Sequence, residues 1–110
     1  MSIEKVKSYF KQFHMEDKIM EFPVSSATVT EAAKALNCQE AHIAKTMSFK
    51  LNEDAILVVM AGDMRIDNHK FKEKFHKKAT MLKADEVEPM TGFPIGGFCP
   101  FAPKDGVKVY

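Results

Sequence analysis

Helices placed on either side of a β-hairpin predict a domain of mixed α and β class, and three stretches carry that prediction. Residues 46–51 and 55–61 are strand-like runs joined by the polar turn Asn52-Glu53-Asp54. The second run is almost wholly apolar, as a central strand covered on both faces should be. Residues 3–13 and 28–37 place apolar side chains at helical spacing. The stretch Thr91–Pro103, TGFPIGGFCPFAP, mixes three glycines with three prolines, a composition that favours a shaped loop over either regular element.

In chain order, Ile3, Val6, Phe10 and Phe13 with lysines between them describe an amphipathic first helix, within an N-terminal segment 1–18. Ile19–Val24 is short and apolar-rich with Pro23 near its end, which predicts an edge strand running into the Ser25-Ser26 turn. Thr28 followed by Glu31 forms a capping-box pattern, and Val29, Ala32, Ala33 and Leu36 supply the apolar stripe behind it. Asn37 is a suitable stop because it tolerates left-handed φ. A helical turn over Glu40–Ala44 then leads into the hairpin. Asp67 or Asn68 can cap a helix carrying Phe71 and Phe75. Thr80–Lys83 predicts a short strand, Ala84–Met90 a helix of about two turns limited by Pro89, and Val107–Tyr110 a last strand at the chain end. A chain stopping within a strand suggests a domain lacking its C-terminal part.

The 110 residues suit one domain, and a hydrophobic fraction of 45% is ample for one core. There is no long apolar run and no signal-peptide pattern, so a soluble cytoplasmic protein is expected. Cys38 and Cys99 lack CxxC spacing and are expected to be free thiols. The net charge of +1 gives no global attraction to nucleic acid or membrane. Any RNA contact must then be local. One candidate is HKFKEKFHKK at 69–78, with five lysines against one Glu, a pattern that also describes the solvated face of a helix.

The apolar side chains of the 91–103 loop imply that it is packed as the wall of a pocket, with backbone N–H groups around Gly96 and Gly97 open to an oxygen-rich ligand. A tight connection between core elements has the same composition. Lys45, between the turn AHIA and the strand TMSF, can act as a fixed point charge for a phosphate or ester oxygen, or be one exposed lysine among many. Asp63, Arg65 and Asp67 at a strand end can orient a polar ligand or form a capped, self-paired turn. Cys99 beside Pro100 has no histidine close in sequence to activate it, so an inert packed thiol is favoured. His14, His42, His69 and His76 have no metal-ligand spacing with cysteine or carboxylate, and no metal or cofactor is expected. The loop is neither a P-loop nor a dinucleotide fingerprint.

The segments EFPVSSATVTEAAKAL at 21–36, IAKTMSF at 43–49, ILVVMAGDMRID at 56–67 and DEVEPMTGFPIGGFCPF at 85–101 together resemble the YbaK-type aminoacyl-tRNA deacylases, the family that includes the editing domain of bacterial prolyl-tRNA synthetases. The resemblance implies an α+β domain with a mixed, curved sheet flanked by helices. It also implies hydrolysis of the ester joining a wrong, small amino acid such as alanine or cysteine to the tRNA for proline or a related tRNA. Lys45 matches the family's functional lysine, which holds the terminal adenosine or phosphate. Gly96 to Pro100 matches its G-x-x-x-P loop, so Gly96, Gly97 and Phe98 are expected to provide backbone donors. Thr46, Ser26, Asp63, Arg65, Cys99, Pro100 and Phe101 are the expected substrate-binding residues.

Three features depart from the family: its members continue past the point where this chain ends with a strand, a glycine-containing loop and a helix that help close the pocket, Ala102 replaces a frequent glycine, and Cys99 stands where a small polar residue is common. Expected partners are the acceptor end of aminoacyl-tRNA and a synthetase. The rival expectations are a noncatalytic tRNA-end or synthetase-binding module of the same fold, and a thiol enzyme built on Cys99.

Overall fold

The computed structural model describes residues 2–23, 28–93, 99–101 and 103–110, and the hairpin is the middle of what it describes. Strands β1 (Ala44–Leu51) and β2 (Asp54–Ala61) are antiparallel, pairing Lys45 with Met60, Phe49 with Ile56 and Leu51 with Asp54. Asn52 makes the turn at φ 59, a left-handed conformation that its short polar side chain tolerates. Strand β3 (Lys108–Val109) lies parallel to β2 on its free side, giving a mixed sheet in the order β1-β2-β3 with β2 central. Around it are α1 (Ser2–Lys11), α2 (Val29–Leu36), α3 (Asn68–Phe75) and α4 (Ala84–Thr91). The architecture is α+β, as expected.

Strand β2 is apolar from Ala55 onward because each of its faces is covered. Ile56 joins Phe49 of β1 and Phe71 of α3 in one buried cluster, whereas Ala55 packs with Leu82 and Val87 of α4 in another. Strand alternation sends neighbouring residues to opposite faces, so a single eight-residue run feeds both layers. No described helix is long and apolar enough to cross a membrane.

The helix ends follow the sequence signals. The Thr28 hydroxyl accepts from the Glu31 N–H at 3.1 Å and donates to the Glu31 carboxylate at 3.0 Å. Asn37 closes α2 at φ 54. Asp67, not Asn68, caps α3 by accepting from the Lys70 N–H at 3.0 Å. Pro89 sits inside α4, which spans eight residues and ends at Gly92 with φ 82.

Two expected strands did not form. Glu16–Lys18 makes a single 3₁₀ turn, and residues 19–23 belong to no strand. Pro23 offers no ladder donor, and the segment is held instead by a 2.7 Å ion pair from Glu21 to Lys7 of α1. Thr80–Lys83 is reduced to one bridge, Met81 opposite Phe49, with the Lys50 N–H donating to the Thr80 carbonyl. Lys83 is already the N-cap of α4, which leaves too few residues for a strand.

Gly62 docks the end of β2 on the 3₁₀ turn Glu40–His42. Its N–H donates to the Ile43 carbonyl at 2.6 Å. A Cβ there would lie 2.5 Å from both the Glu40 carbonyl oxygen and Val29 Cγ1, closer than any side chain tolerates. Glycine is therefore required by this close approach, and the approach sets where β1 begins.

Glu86 ties α4 to the sheet. One carboxylate oxygen accepts from Lys50 Nζ at 2.6 Å and the other from the Lys83 N–H at 3.0 Å. The Lys50 hydrogen bond, followed by the Lys83 N–H, lowers the Glu86 pKa, and the hydrogen bond to Glu86 raises that of Lys50. A depressed carboxylate contributes stability that is present above its unfolded pKa and lost as pH falls through the folded value. Thermal midpoints measured down through the carboxylate range should therefore fall on acidification, and Glu86→Gln should flatten that fall. An identical acid profile in the variant would show that this contact is not a source of the pH dependence.

Candidate functional site

Lys45 is the second residue of β1, half-buried, and opposite Met60. Alternation puts it on the sheet face of Met47 and Phe49, the face covered by α3, whereas Thr46, opposite Val59, lies on the face of Ser48 and Lys50 toward α4. Adjacent residues at the end of the sheet thus address its two sides. Because Ala44 pairs with Ala61, the Gly62-Asp63 turn begins directly beside them. Asp63 and Arg65 are exposed in the connection that follows. Lys45, Asp63 and Arg65 are therefore brought to one end of the hairpin, while Asp67 is taken up by its capping role.

A hollow of about 370 Å³ opens between this end of β2 and α3, lined in part by Met60, Arg65, Lys70, Lys74, Phe75 and Tyr110. Its floor is apolar and its rim carries cations. Lys74 Nζ stands 5.3 Å from the Tyr110 ring centroid and 5.8 Å from that of Phe75. Helix α3 buries Phe71 and half-buries Phe75 while keeping Lys70, Lys72 and Lys74 exposed, so the first part of the basic run forms the open face of an ordinary amphipathic helix, and His76 to Lys78 follow beyond its end.

Ser26, Gly96, Gly97 and Phe98 lie outside the described residues. The residues on either side of 94–98 are well tied. Thr91 is buried; its hydroxyl donates to the Val87 carbonyl at 2.7 Å and accepts from the Phe93 N–H at 3.1 Å. Phe93 is fully buried. On the returning side, the Lys104 N–H donates to the Thr91 carbonyl at 2.9 Å and Lys104 Nζ to the Pro89 carbonyl at 2.8 Å. The two ends of the Gly/Pro loop are thereby fastened together at the C-terminus of α4.

Cys99 and Pro100 are half-buried and Phe101 is exposed. The Cys99 thiol donates to the Phe101 carbonyl at 3.4 Å. Burial pushes the thiol pKa up, and the Phe101 backbone contact and the charge of Lys5 offset only part of that rise. A thiol so placed holds less thiolate at neutral pH than a free cysteine, the opposite of nucleophile activation. Cys38 and Cys99 are both free. Among the described residues no group of His, Cys, Asp and Glu is arranged to hold a metal.

Sequence reasoning did not single out Met60 and Tyr110 beside Lys45's end of the sheet, or Lys5 and Phe10 of α1 beside the loop. Phe10 was visible as part of an apolar stripe. What the stripe packs against was not, because that partner is distant in sequence.

Residues 24–110 match the family description of an aminoacyl-tRNA editing domain. The uncharacterized protein YwhH of Bacillus subtilis is 43% identical over 111 residues, an alignment covering 100% of this chain and 71% of YwhH. The proline–tRNA ligase of Leptospira interrogans is 30% identical over 89 residues, which are 74% of this chain but only 14% of the ligase. A crystal structure of a candidate trans-editing enzyme for prolyl-tRNA synthetase superposes with TM-score 0.84 at 27% identity, covering 97% of this chain and 69% of that one. The crystal structure of hypothetical protein APE2540 gives TM-score 0.74 at 32% identity over 82% of this chain, which spans 61% of that protein. With most of its length inside the family match and these relatives alongside, the chain belongs to the aminoacyl-tRNA editing domain family.

Proposed function

We propose that this protein is a cytoplasmic trans-editing hydrolase that deacylates tRNA carrying the wrong small amino acid, such as alanine or cysteine on the tRNA for proline or a related tRNA. Lys45 carries the reading: a half-buried lysine whose backbone is fixed by strand pairing at the end of the sheet, where the chain turns toward Asp63 and Arg65. A cation in a set position can hold the phosphate or ribose end of an acylated nucleotide. Backbone donors at Gly96, Gly97 and Phe98 would stabilise the oxyanion formed as water attacks the ester. Thr46, Ser26, Cys99, Pro100 and Phe101 would shape the amino-acid pocket. An ester is activated enough that neither a protein nucleophile nor a cofactor is required by this mechanism. The acceptor end of aminoacyl-tRNA is the partner in this reading, with a synthetase as a second candidate.

The test is turnover of the purified protein against a panel of mischarged tRNAs. Selective release of a small amino acid from one of them is the expected result. No hydrolysis of any of them, together with salt-sensitive tRNA binding, would instead make this a noncatalytic module that recognises tRNA ends. Cys99→Ser should keep most of its turnover, because the thiol is half-buried with its pKa raised and shapes the pocket without reacting; near-complete loss of activity in that variant would revive the thiol-enzyme reading.

A further inference from the structure

Helix α1 (Ser2–Lys11) lies outside the family match, which begins at residue 24, yet it touches both flanks of the Gly/Pro loop. On the entering flank, Lys5 Nζ sits 5.3 Å from the Phe93 ring centroid. It is also 3.1 Å from where a Cβ on Gly92 would stand. On the returning flank, the Phe10 ring meets Phe101 edge-on at 4.7 Å, and Tyr9 stands 6.3 Å from the same ring. Phe101 is bonded in turn to the Cys99 thiol through its carbonyl. A cation over an aromatic face and an edge-to-face ring pair both have preferred geometries, so each contact restrains orientation as well as distance.

One turn of helix separates Lys5 from Tyr9, and Phe10 follows. A rigid rod thus spans the gap between the chain entering the loop and the chain leaving it. The Thr91–Lys104 tie fastens the base of the loop, and α1 adds contacts nearer its middle. Phe13 continues the aromatic row, with its ring 5.4 Å from Tyr9, and is 54% exposed. It lies beyond the end of α1 and pairs with Tyr9; it shares a hollow with Phe101 without a ring pair to it, which separates packing on Tyr9 from the ring contact that Phe10 makes with the flank.

We propose that α1 is a positioning element for the proposed editing site, in which Lys5 holds Phe93 and Phe10 holds Phe101, the described residues on either side of the glycine-rich segment. This rests on the deacylase reading only for its consequence in catalysis; the clamp itself is a statement about Phe93, Cys99 and Phe101. Misplacement of catalytic donors by a fraction of a bond length lowers the rate of the chemical step more than the binding of substrate.

The experiment uses the full chain in a Cys38→Ser background, so that Cys99 is the sole thiol, and follows its reaction with a colorimetric aromatic disulfide at fixed pH. Phe10→Ala should speed Cys99 labelling roughly threefold to tenfold, the range corresponding to loss of one edge-to-face ring pair. Phe10→Tyr, which keeps the ring, should restore most of the protection, and Phe13→Ala should label at the parent rate. Turnover of mischarged tRNA should fall in kcat with KM held for Phe10→Ala and Lys5→Gln, with Lys5→Arg recovering. Unchanged labelling in Phe10→Ala, equal effects of Phe13→Ala, or a loss carried by KM would each overturn the proposal. If the parent protein shows no turnover, the deacylase reading fails, and the labelling series still decides whether α1 holds the flanks.

Discussion

Replacing Lys45 by alanine is expected to cut deacylation of a mischarged tRNA by about tenfold or more, equivalent to about 1.4 kcal/mol of transition-state stabilisation, while the unfolding midpoint stays near that of the parent. The expectation follows from where the residue sits. Lys45 is near the open end of β1, and its cross-strand neighbour is Met60. No carboxylate among the described residues forms an ion pair with it, so its charge is not consumed in holding the fold. Removing it should therefore subtract from substrate handling and not from packing. Lys45→Arg keeps the charge but changes the compact ammonium for a planar fork, and should recover only part of the rate. Single-turnover hydrolysis measured beside urea unfolding decides the matter. Parent-like turnover in Lys45→Ala would remove this lysine from the mechanism.

The largest effect on stability is expected at Phe49. Its side chain is 1% exposed, packs 5.1 Å from the Phe71 ring, and shares its buried cluster with Ile56. It lies at the meeting of β1, β2 and α3, and its backbone also forms the bridge to Met81. Phe49→Ala removes a buried ring and leaves a cavity that a strand braced on both sides cannot close, costing about 3–5 kcal/mol. That is a large share of the roughly 5–15 kcal/mol typical of a whole domain. Phe49→Leu keeps most of the volume and should cost clearly less. The measurement is the urea midpoint at unchanged slope. A midpoint shift in Phe49→Ala no larger than that of an exposed-residue control would show that this cluster is not the principal core.

The residues that announced their own structure did so through local chemistry. Thr28 and Glu31, Asn37, and Asp67 are short-range devices, and each is found capping where its side chain predicted. The hairpin was legible because a polar turn separates two runs of strand-like period. Its central position was legible because residues 55–61 have no polar face to leave in water. The edge strand expected at Ile19–Val24 has no partner over residues 19–23, and the strand expected at Thr80–Lys83 meets β1 at a single bridge because Lys83 already caps α4. A strand is completed by a partner, and a run of residues cannot state whether an edge will be free to receive it.

The candidate site divides the same way. The chain's own chemistry pointed to the mixed α and β class, the capped ends of α2 and α3 and the two cysteines as free thiols, and it singled out Lys45 and the glycine-proline loop that the proposed deacylation would use. Only the tertiary structure decided that Lys45 and Thr46 address opposite faces of the sheet, that burial lifts the Cys99 thiol away from reactivity, and that α1 lies against the flanks of a loop about ninety residues away. Caps, turns and periodicity are interactions between near neighbours and are written in consecutive residues. Orientation across a sheet, desolvation and long-range packing depend on which surfaces meet once the chain has collapsed, and no local pattern specifies that.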